Sequence, residues 1–296
     1  MSKETIGGGM ETTAGVADAL ERAGYLSDQS TATSLFLAER LGKPLLVEGP
    51  AGTGKTELAR AAADSWARPL IRLQCYEGLD ESKVLYEWNY RKQLLQLQTD
   101  GRGAGGASIE DIFSEPYLLE RPLLKAIRSP EPVVLLIDEI DRIEMETEAL
   151  LLETLSDFQV TIPELGTIRS QTRPLTILTS NATRELSEAL KRRCLYLWLD
   201  YPSLERERAI ILKRVPEADA KLAERVARIV RSLRGLNLKK APSIAETLDW
   251  TRTLVALGVD HVDEEIAART AGSLLKHPAD LSTALAERFG ATDDDN

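Results

Sequence analysis

Residues 49–56 read Gly49-Pro50-Ala51-Gly52-Thr53-Gly54-Lys55-Thr56, a full match to G-x-x-x-x-G-K-[ST]. This stretch restricts the fold more than any other, because such a loop works only between a strand and a helix. The apolar run 44–48 precedes it and the helix-forming run 57–63 follows it. Gly49, Gly52 and Gly54 leave room for backbone N–H groups to approach phosphate oxygens. A helix starting near Lys55 points its unpaired N–H groups and its positive dipole end at the same anion. Lys55 is expected to bridge the β- and γ-phosphates as a point charge, and Thr56 to coordinate Mg2+ through its hydroxyl. Pro50, Ala51 and Thr53 complete the binding loop, and the implied ligands are ATP and Mg2+. The bland alternative is a plain glycine turn.

A second motif points the same way. Residues 133–137 are Val-Val-Leu-Leu-Ile, followed by Asp138 and Glu139, in the form of a Walker B strand. Two acids ending a buried apolar strand are expensive unless something there uses them. Asp138 is read as the Mg2+ residue, acting through the metal's water shell, and Glu139 as the group that orients and polarises the attacking water. The pair favours ATP hydrolysis over nucleotide storage. Asn181 ends a further apolar run and can hydrogen-bond both a water and a γ-phosphate. Leu190-Lys191-Arg192-Arg193 ends a short helix before the last strand. Arg193, or its neighbour Arg192, is read as a finger reaching the nucleotide of an adjacent subunit, a role suited to arginine's fixed charge and planar fork. The alternative for that cluster is a solvated basic helix end.

Five short apolar runs, at 44–48, 69–74, 132–138, 175–181 and 194–200, are separated by helical patterns such as 13–23 and 29–41. This alternation predicts a three-layer α/β domain with a mainly parallel five-stranded sheet. Residues 75–131 exceed one crossover; they carry the aromatic patch 86–90 and a glycine-rich link at 101–106, and are read as a helix interrupted by a hairpin or loop. Residues 158–173 are read as a small hairpin around Pro163-Glu164-Leu165-Gly166. Loops of this kind carry partner contacts when they are more than surface embellishment. After residue 201 only helical patterns remain. The helix at 219–233 places Leu222, Val226, Ile229, Val230 and Leu233 on one face. The expected division is a flexible tail at 1–15, a nucleotide-binding α/β domain at 16–201, a small all-helical lid at 202–290 and an acidic tail at 291–296.

Composition narrows the function classes. The 37 basic and 47 acidic residues give a formal net charge of −10, which disfavours a nucleic-acid scanner with a broad basic face. Cys75 and Cys194 lack metal or redox spacing, and His261 and His277 are read as solvent-facing histidines on helices. No stretch approaches the ~18 apolar residues of a membrane span, and the N-terminus lacks a signal-peptide core. The expected location is the cytoplasm. A GTPase is disfavoured because no N-K-x-D segment occurs. The rival readings are a nucleic-acid motor or loader on the same core, a small-molecule kinase, and a non-hydrolysing scaffold that uses ATP only to assemble.

The order of these motifs resembles the AAA+ ATPases over about residues 20–289, and within them the MoxR family. The resemblance rests on Gly24-Tyr25-Leu26 ahead of the first helix, on residues 151–157 leading into the hairpin at 160–163, and on the placement of the two insertions. It implies that Tyr25 helps cradle adenine. The run 72–80 with Trp88-Asn89-Tyr90 resembles the subgroup containing the accessory ATPase of carbon monoxide dehydrogenase metal-centre maturation. Such resemblance implies a hexameric ring of identical subunits and a chaperone that remodels a protein client or assists metal-cofactor insertion, often beside a von Willebrand factor A (VWA) domain partner. Relatives place a sensor arginine in a Ser-Pro-Arg context of the lid. Here the stretch reads Ala241-Pro242-Ser243, without arginine, so the resemblance does not extend to lid-coupled sensing, for which Lys239 and Lys240 are the nearby candidates.

Overall fold

The structure, a computed structural model, describes residues 10–100, 112–259 and 261–287. The chain divides into two compact units: residues 1–49 with 55–198, and Pro50–Gly54 with residues from Leu199 onward.

The first unit opens with α1 (Thr13–Arg22) and α2 (Gln29–Leu41), capped by the side chains of Thr12 and Asp28. The expected ends at 13–23 and 29–41 hold to within a residue. There follow β1 (Leu45–Glu48), α3 (Lys55–Ser65) and β2 (Leu70–Gln74). After the first insertion come β5 (Val134–Asp138), β8 (Leu175–Ser180) and β9 (Leu195–Trp198). The five strands form one sheet of order β2-β5-β8-β1-β9, and every pairing is parallel. Strands β1, β5 and β8 are buried along their whole length. That explains their mostly apolar text, since helices cover both faces of a parallel sheet.

Register places the chemistry. Glu48 pairs with Ser180, and Gln74 with Asp138. The polar ends of β1, β2, β5 and β8 therefore share one edge of the sheet, where their carboxyl ends converge.

The first insertion does contain a hairpin, but reverses the expected nesting of a helix interrupted by a hairpin or loop: the helix lies within the hairpin. It contains α4 (Glu81–Val84), β3 (Tyr86–Trp88), α5 (Tyr90–Asp100), β4 (Leu118–Glu120) and α6 (Pro122–Arg128). Strands β3 and β4 pair antiparallel, with Trp88 opposite Leu118, so α5 lies inside a split hairpin. The aromatic patch is split: Trp88 meets Phe113 edge-to-face at 5.3 Å and joins Val84, Leu85 and Leu118 in the unit's core, with Tyr86 packed against it, while Tyr90 is exposed. The glycine-rich link at 101–106 lies outside the described residues. The second insertion is the expected hairpin, β6 (Gln159–Ile162) with β7 (Gly166–Arg169), following α7 (Met145–Asp157). A short helix α8 (Glu188–Arg193) leads into β9.

The helical unit contains α9 (Leu204–Arg214), α10 (Ala220–Arg234), α11 (Ile244–Ala256), α12 (Glu264–Thr270) and α13 (Pro278–Ala286). The five residues expected on the apolar face of α10 are all buried. Trp250 is fully enclosed, and its indole N–H donates to Thr270 Oγ1 at 2.7 Å. Arg234 grips Glu207 through two bonds of 2.7 and 2.8 Å, with both side chains under a tenth exposed. His261 and His277 are exposed, as expected, but neither lies within a helix: His261 falls between α11 and α12, and His277 directly precedes α13. Among the described residues no helix is long and apolar enough to cross a membrane, and no three His, Cys, Asp or Glu side chains cluster as metal ligands.

Candidate active site

Lys55 is the first residue of α3, 5% exposed, and its Nζ donates to Gly49 O at 2.8 Å. The loop between them needs glycine: Gly52 and Gly54 have φ of 78° and 94°, where L side chains are strained. Within the helical unit a Cβ on Gly52 would meet Ser243 Cβ at 2.1 Å, and Gly52 O accepts from Ile244 N–H at 3.1 Å. The stretch at which relatives carry a sensor arginine thus packs on the loop's second glycine as Ser243. Of the two candidate substitutes, Lys240 has its side-chain end engaged within its own unit. Lys240 Nζ bonds Glu246 at 3.0 Å, and the backbone N–H groups of Lys239 and Lys240 both donate to the buried carboxylate of Asp280. Thr53 Oγ1 donates back to Pro50 O.

Around Lys55 the sheet edge gathers acids. Burial pushes the Lys55 ammonium down to about 8, against the raising pull of Asp141, Asp138, Glu139 and Glu48. Thr56 Oγ1 donates to Asp138 Oδ1 at 2.9 Å, and Thr179 Oγ1 donates to the same oxygen at 2.6 Å. A hydroxyl and a carboxylate side by side are the hard oxygen donors that Mg2+ takes, so the residues present fit that ion. On the other oxygen, Arg72 Nε and Nη2 both reach Asp138 Oδ2, at 3.1 and 2.5 Å.

Glu139 follows in the left-handed region, φ 58°, a strained conformation for a residue with a side chain. Its N–H donates to Thr179 Oγ1, and its Oε2 receives Gln74 Nε2 and Arg142 Nε, each at 3.0 Å. Gln74 in turn accepts from Arg72 Nη2. The carboxylate is one-third exposed, so it is held in place while still open to solvent.

Asn181 stands half-buried just beyond β8. The turn that presents it is tied at both sides. Ser180 Oγ donates to Glu48 Oε1 and accepts from Ala182 N–H, whose residue has φ 55°. Asp141 Oδ2 accepts from both the N–H and the hydroxyl of Thr183. Burial pushes the Asp141 carboxyl up, but Thr183 with the amides of Asn181 and Asp141 outweighs it and holds the group below its usual range. Glu148 does the same for α8: burial raises it, Ser187 and Arg184 more than offset that, and its Oε1 receives Ser187 N–H at the helix start.

Arg193 is exposed, with Nε on Ser156 Oγ at 2.7 Å and Nη1 on Ala189 O, both in its own chain. Arg192, beside it, is also exposed. Tyr25 is only 8% exposed and its N–H caps α1 on Leu20 O. The sheet edge thus brings together Gly49, Lys55, Thr56, Asp138, Glu139 and Asn181, while Arg193 stands apart on α8. Sequence reasoning missed Arg72, Gln74, Arg142, Thr179 and Asp141. The signal for β2 was present as charged and polar text at alternate positions, Arg72 and Gln74, alternating with the buried Ile71 and Leu73.

The AAA family (ATPase family associated with various cellular activities) matches residues 45–197. An uncharacterized protein of Staphylococcus epidermidis is 25% identical over 238 residues, covering 78% of this chain and 82% of that protein. The gas vesicle ATPase GvpN of Haloferax mediterranei is 28% identical over 206 residues, covering 66% of this chain and 57% of that protein. Among solved structures, a RuvB variant of Thermotoga maritima is 20% identical and covers 88% of this chain and 72% of that one, with a TM-score of 0.49. The family match begins at the first residue of β1 and ends within β9, spanning more than half of the chain, and on that ground the chain belongs to the AAA family of ATPases.

Proposed function

We propose that this chain hydrolyses ATP with Mg2+ and uses the turnover to remodel a protein client, as a MoxR-type member of its family. The observation that carries the reading is the adjacent pair of acids at the end of β5. Asp138 shares a hydrogen bond with the Thr56 hydroxyl, and Glu139 is held by Gln74 and Arg142 yet open to water. When bound, the metal would neutralise charge on the two terminal phosphates of ATP beside Thr56 and Asp138. Lys55 meets the same phosphates with its ammonium, and the N-terminus of α3 adds unpaired N–H groups. Glu139 accepts a proton from the attacking water, and Asn181 orients that water against the third phosphate.

The finger is Arg193 acting on a neighbouring subunit, released from Ser156 when the ring closes, with Arg192 beside it as the other candidate. Tyr25 belongs to the adenine pocket. A ring of identical subunits, six by resemblance, follows from a finger given in trans. The split hairpin around α5 exposes Tyr90, Leu94 and Leu95, apolar surface of the kind partner contacts use. GvpN, an ATPase by name, supports the hydrolytic reading. The narrower assignment is assistance in metal-centre maturation beside a VWA-domain partner, and it rests on residues 72–80 and 88–90 alone. Both cysteines are free thiols, which fits a reducing cytoplasm.

Phosphate release by purified protein tests the core of this reading. Wild type should release phosphate from ATP, Lys55→Ala should neither bind nor turn over, and Glu139→Gln should bind ATP with turnover lowered about a hundredfold or more. Unchanged turnover in Glu139→Gln removes Glu139 from the mechanism.

A further inference from the structure

Asp138 has all of its acceptor capacity engaged by its own chain. Two hydroxyls, Thr56 and Thr179, hold Oδ1, and the Arg72 fork holds Oδ2. Arg72 reaches it from the neighbouring edge strand: β2 and β5 run in register, Arg72 opposite Leu136, and the side chain extends toward the strand's carboxyl end. The carboxylate is 3% exposed and the arginine 43%, so one partner is locked in the sheet while the other has solvent to move into. A carboxylate this enclosed needs a compensating cation, because an uncompensated buried charge is strongly destabilising.

We propose that Arg72 is a positioning residue that serves as a tethered stand-in for the metal's charge: it neutralises Asp138 and must release Oδ2 before that oxygen can hold the water shell of Mg2+. The inference rests on the reading of Asp138 as the metal residue. Arg72 therefore sets how much Mg2+ the site demands, and it couples that demand to Glu139 through Gln74, whose Oε1 and Nε2 bond Arg72 and Glu139 respectively. A guanidinium suits the task, since its two nitrogens grip one carboxylate oxygen and it stays charged at every working pH.

The test measures binding and melting, with no turnover needed. Fluorescent ATP is titrated into wild type, Arg72→Met and Arg72→Lys at fixed Mg2+ from chelated to millimolar levels. Arg72→Met should reach half-maximal binding at about tenfold less Mg2+ than wild type, with Arg72→Lys between them and the metal-free affinity unchanged in all three. Without nucleotide, Arg72→Met should melt below wild type in chelator, and Mg2+ alone should raise its melting temperature more than that of wild type. An unchanged Mg2+ requirement, or a chelated melting temperature equal to wild type, overturns the proposal. If wild type binds no ATP at any Mg2+ level, the nucleotide reading fails. The nucleotide-free melts then decide separately whether Arg72 and a divalent cation compete for Asp138.

Discussion

Lys55 shows how one residue's setting becomes a measurable quantity. Its ammonium is pushed down to about 8 from an ordinary 10.5, so the folded chain releases this proton before the unfolded chain does. Between those two values the unfolded state holds more protons, and stability from this group rises with pH across that window. Below about 8 the unfavourable contribution is present in full. Denaturant titrations of wild type minus Lys55→Met should show that rise, and a flat difference from pH 7.5 to 10 would contradict it. Triphosphate beside Lys55 favours its charged form, so nucleotide binding near pH 8.5 should take up protons. Calorimetry in two buffers of different ionisation enthalpy reads that uptake, which Lys55→Met should abolish. Glu139 offers a separate check at the same scale. Its φ of 58° strains any side chain, so Glu139→Gly should be at least as stable as Glu139→Ala, by up to about 1 kcal/mol, although both lose turnover. The thiols of Cys75 and Cys194, both pushed up to about 12 chiefly by burial, are expected to be inert to alkylation in the folded chain.

Elements carry the next level of argument. The loop from Gly49 to Thr56 was legible because its chemistry is local: glycines, lysine and threonine at set spacing around one turn. Strands β1, β5 and β8 were legible because a parallel strand buried on both faces is written as a mostly apolar run, while the edge strands β2 and β9 keep short apolar text with exposed alternate positions. In the first insertion a hairpin was among the expectations, but its strands around α5 were not legible, since Tyr86–Trp88 and Leu118–Glu120 are short and find each other across a long interval. Such pairing leaves no period in the text. Buried pairs between helices are equally invisible: the Glu207 of α9 and the Arg234 of α10 read as ordinary surface charges of amphipathic helices. Arg234→Met alone should destabilise the helical unit by roughly 3–5 kcal/mol, because it strands a carboxylate that is 1% exposed. The double variant Glu207→Leu with Arg234→Met should recover much of that loss in a melting experiment. Equal loss in single and double variants would show that packing, and not the charge, is what matters there.

At the scale of the whole molecule the prediction concerns more than one copy. If Arg193 acts on a neighbour, turnover per chain should rise with protein concentration. Mixing Lys55→Ala with Arg193→Ala subunits, each inactive alone, should restore a fraction of wild-type turnover. No recovery at any ratio would argue against the finger in trans, and recovery with Arg192→Ala in place of Arg193→Ala would move the role to its neighbour. By itself the amino-acid text determined the fold class, the phosphate loop and the acids at the end of β5, because each is encoded by local spacing or burial period. Only tertiary structure decided what surrounds Asp138 and Glu139. Arg72, Gln74 and Thr179 come to them through the lateral register of parallel strands. That register is fixed by packing between segments distant in sequence, and no run of neighbouring residues records it.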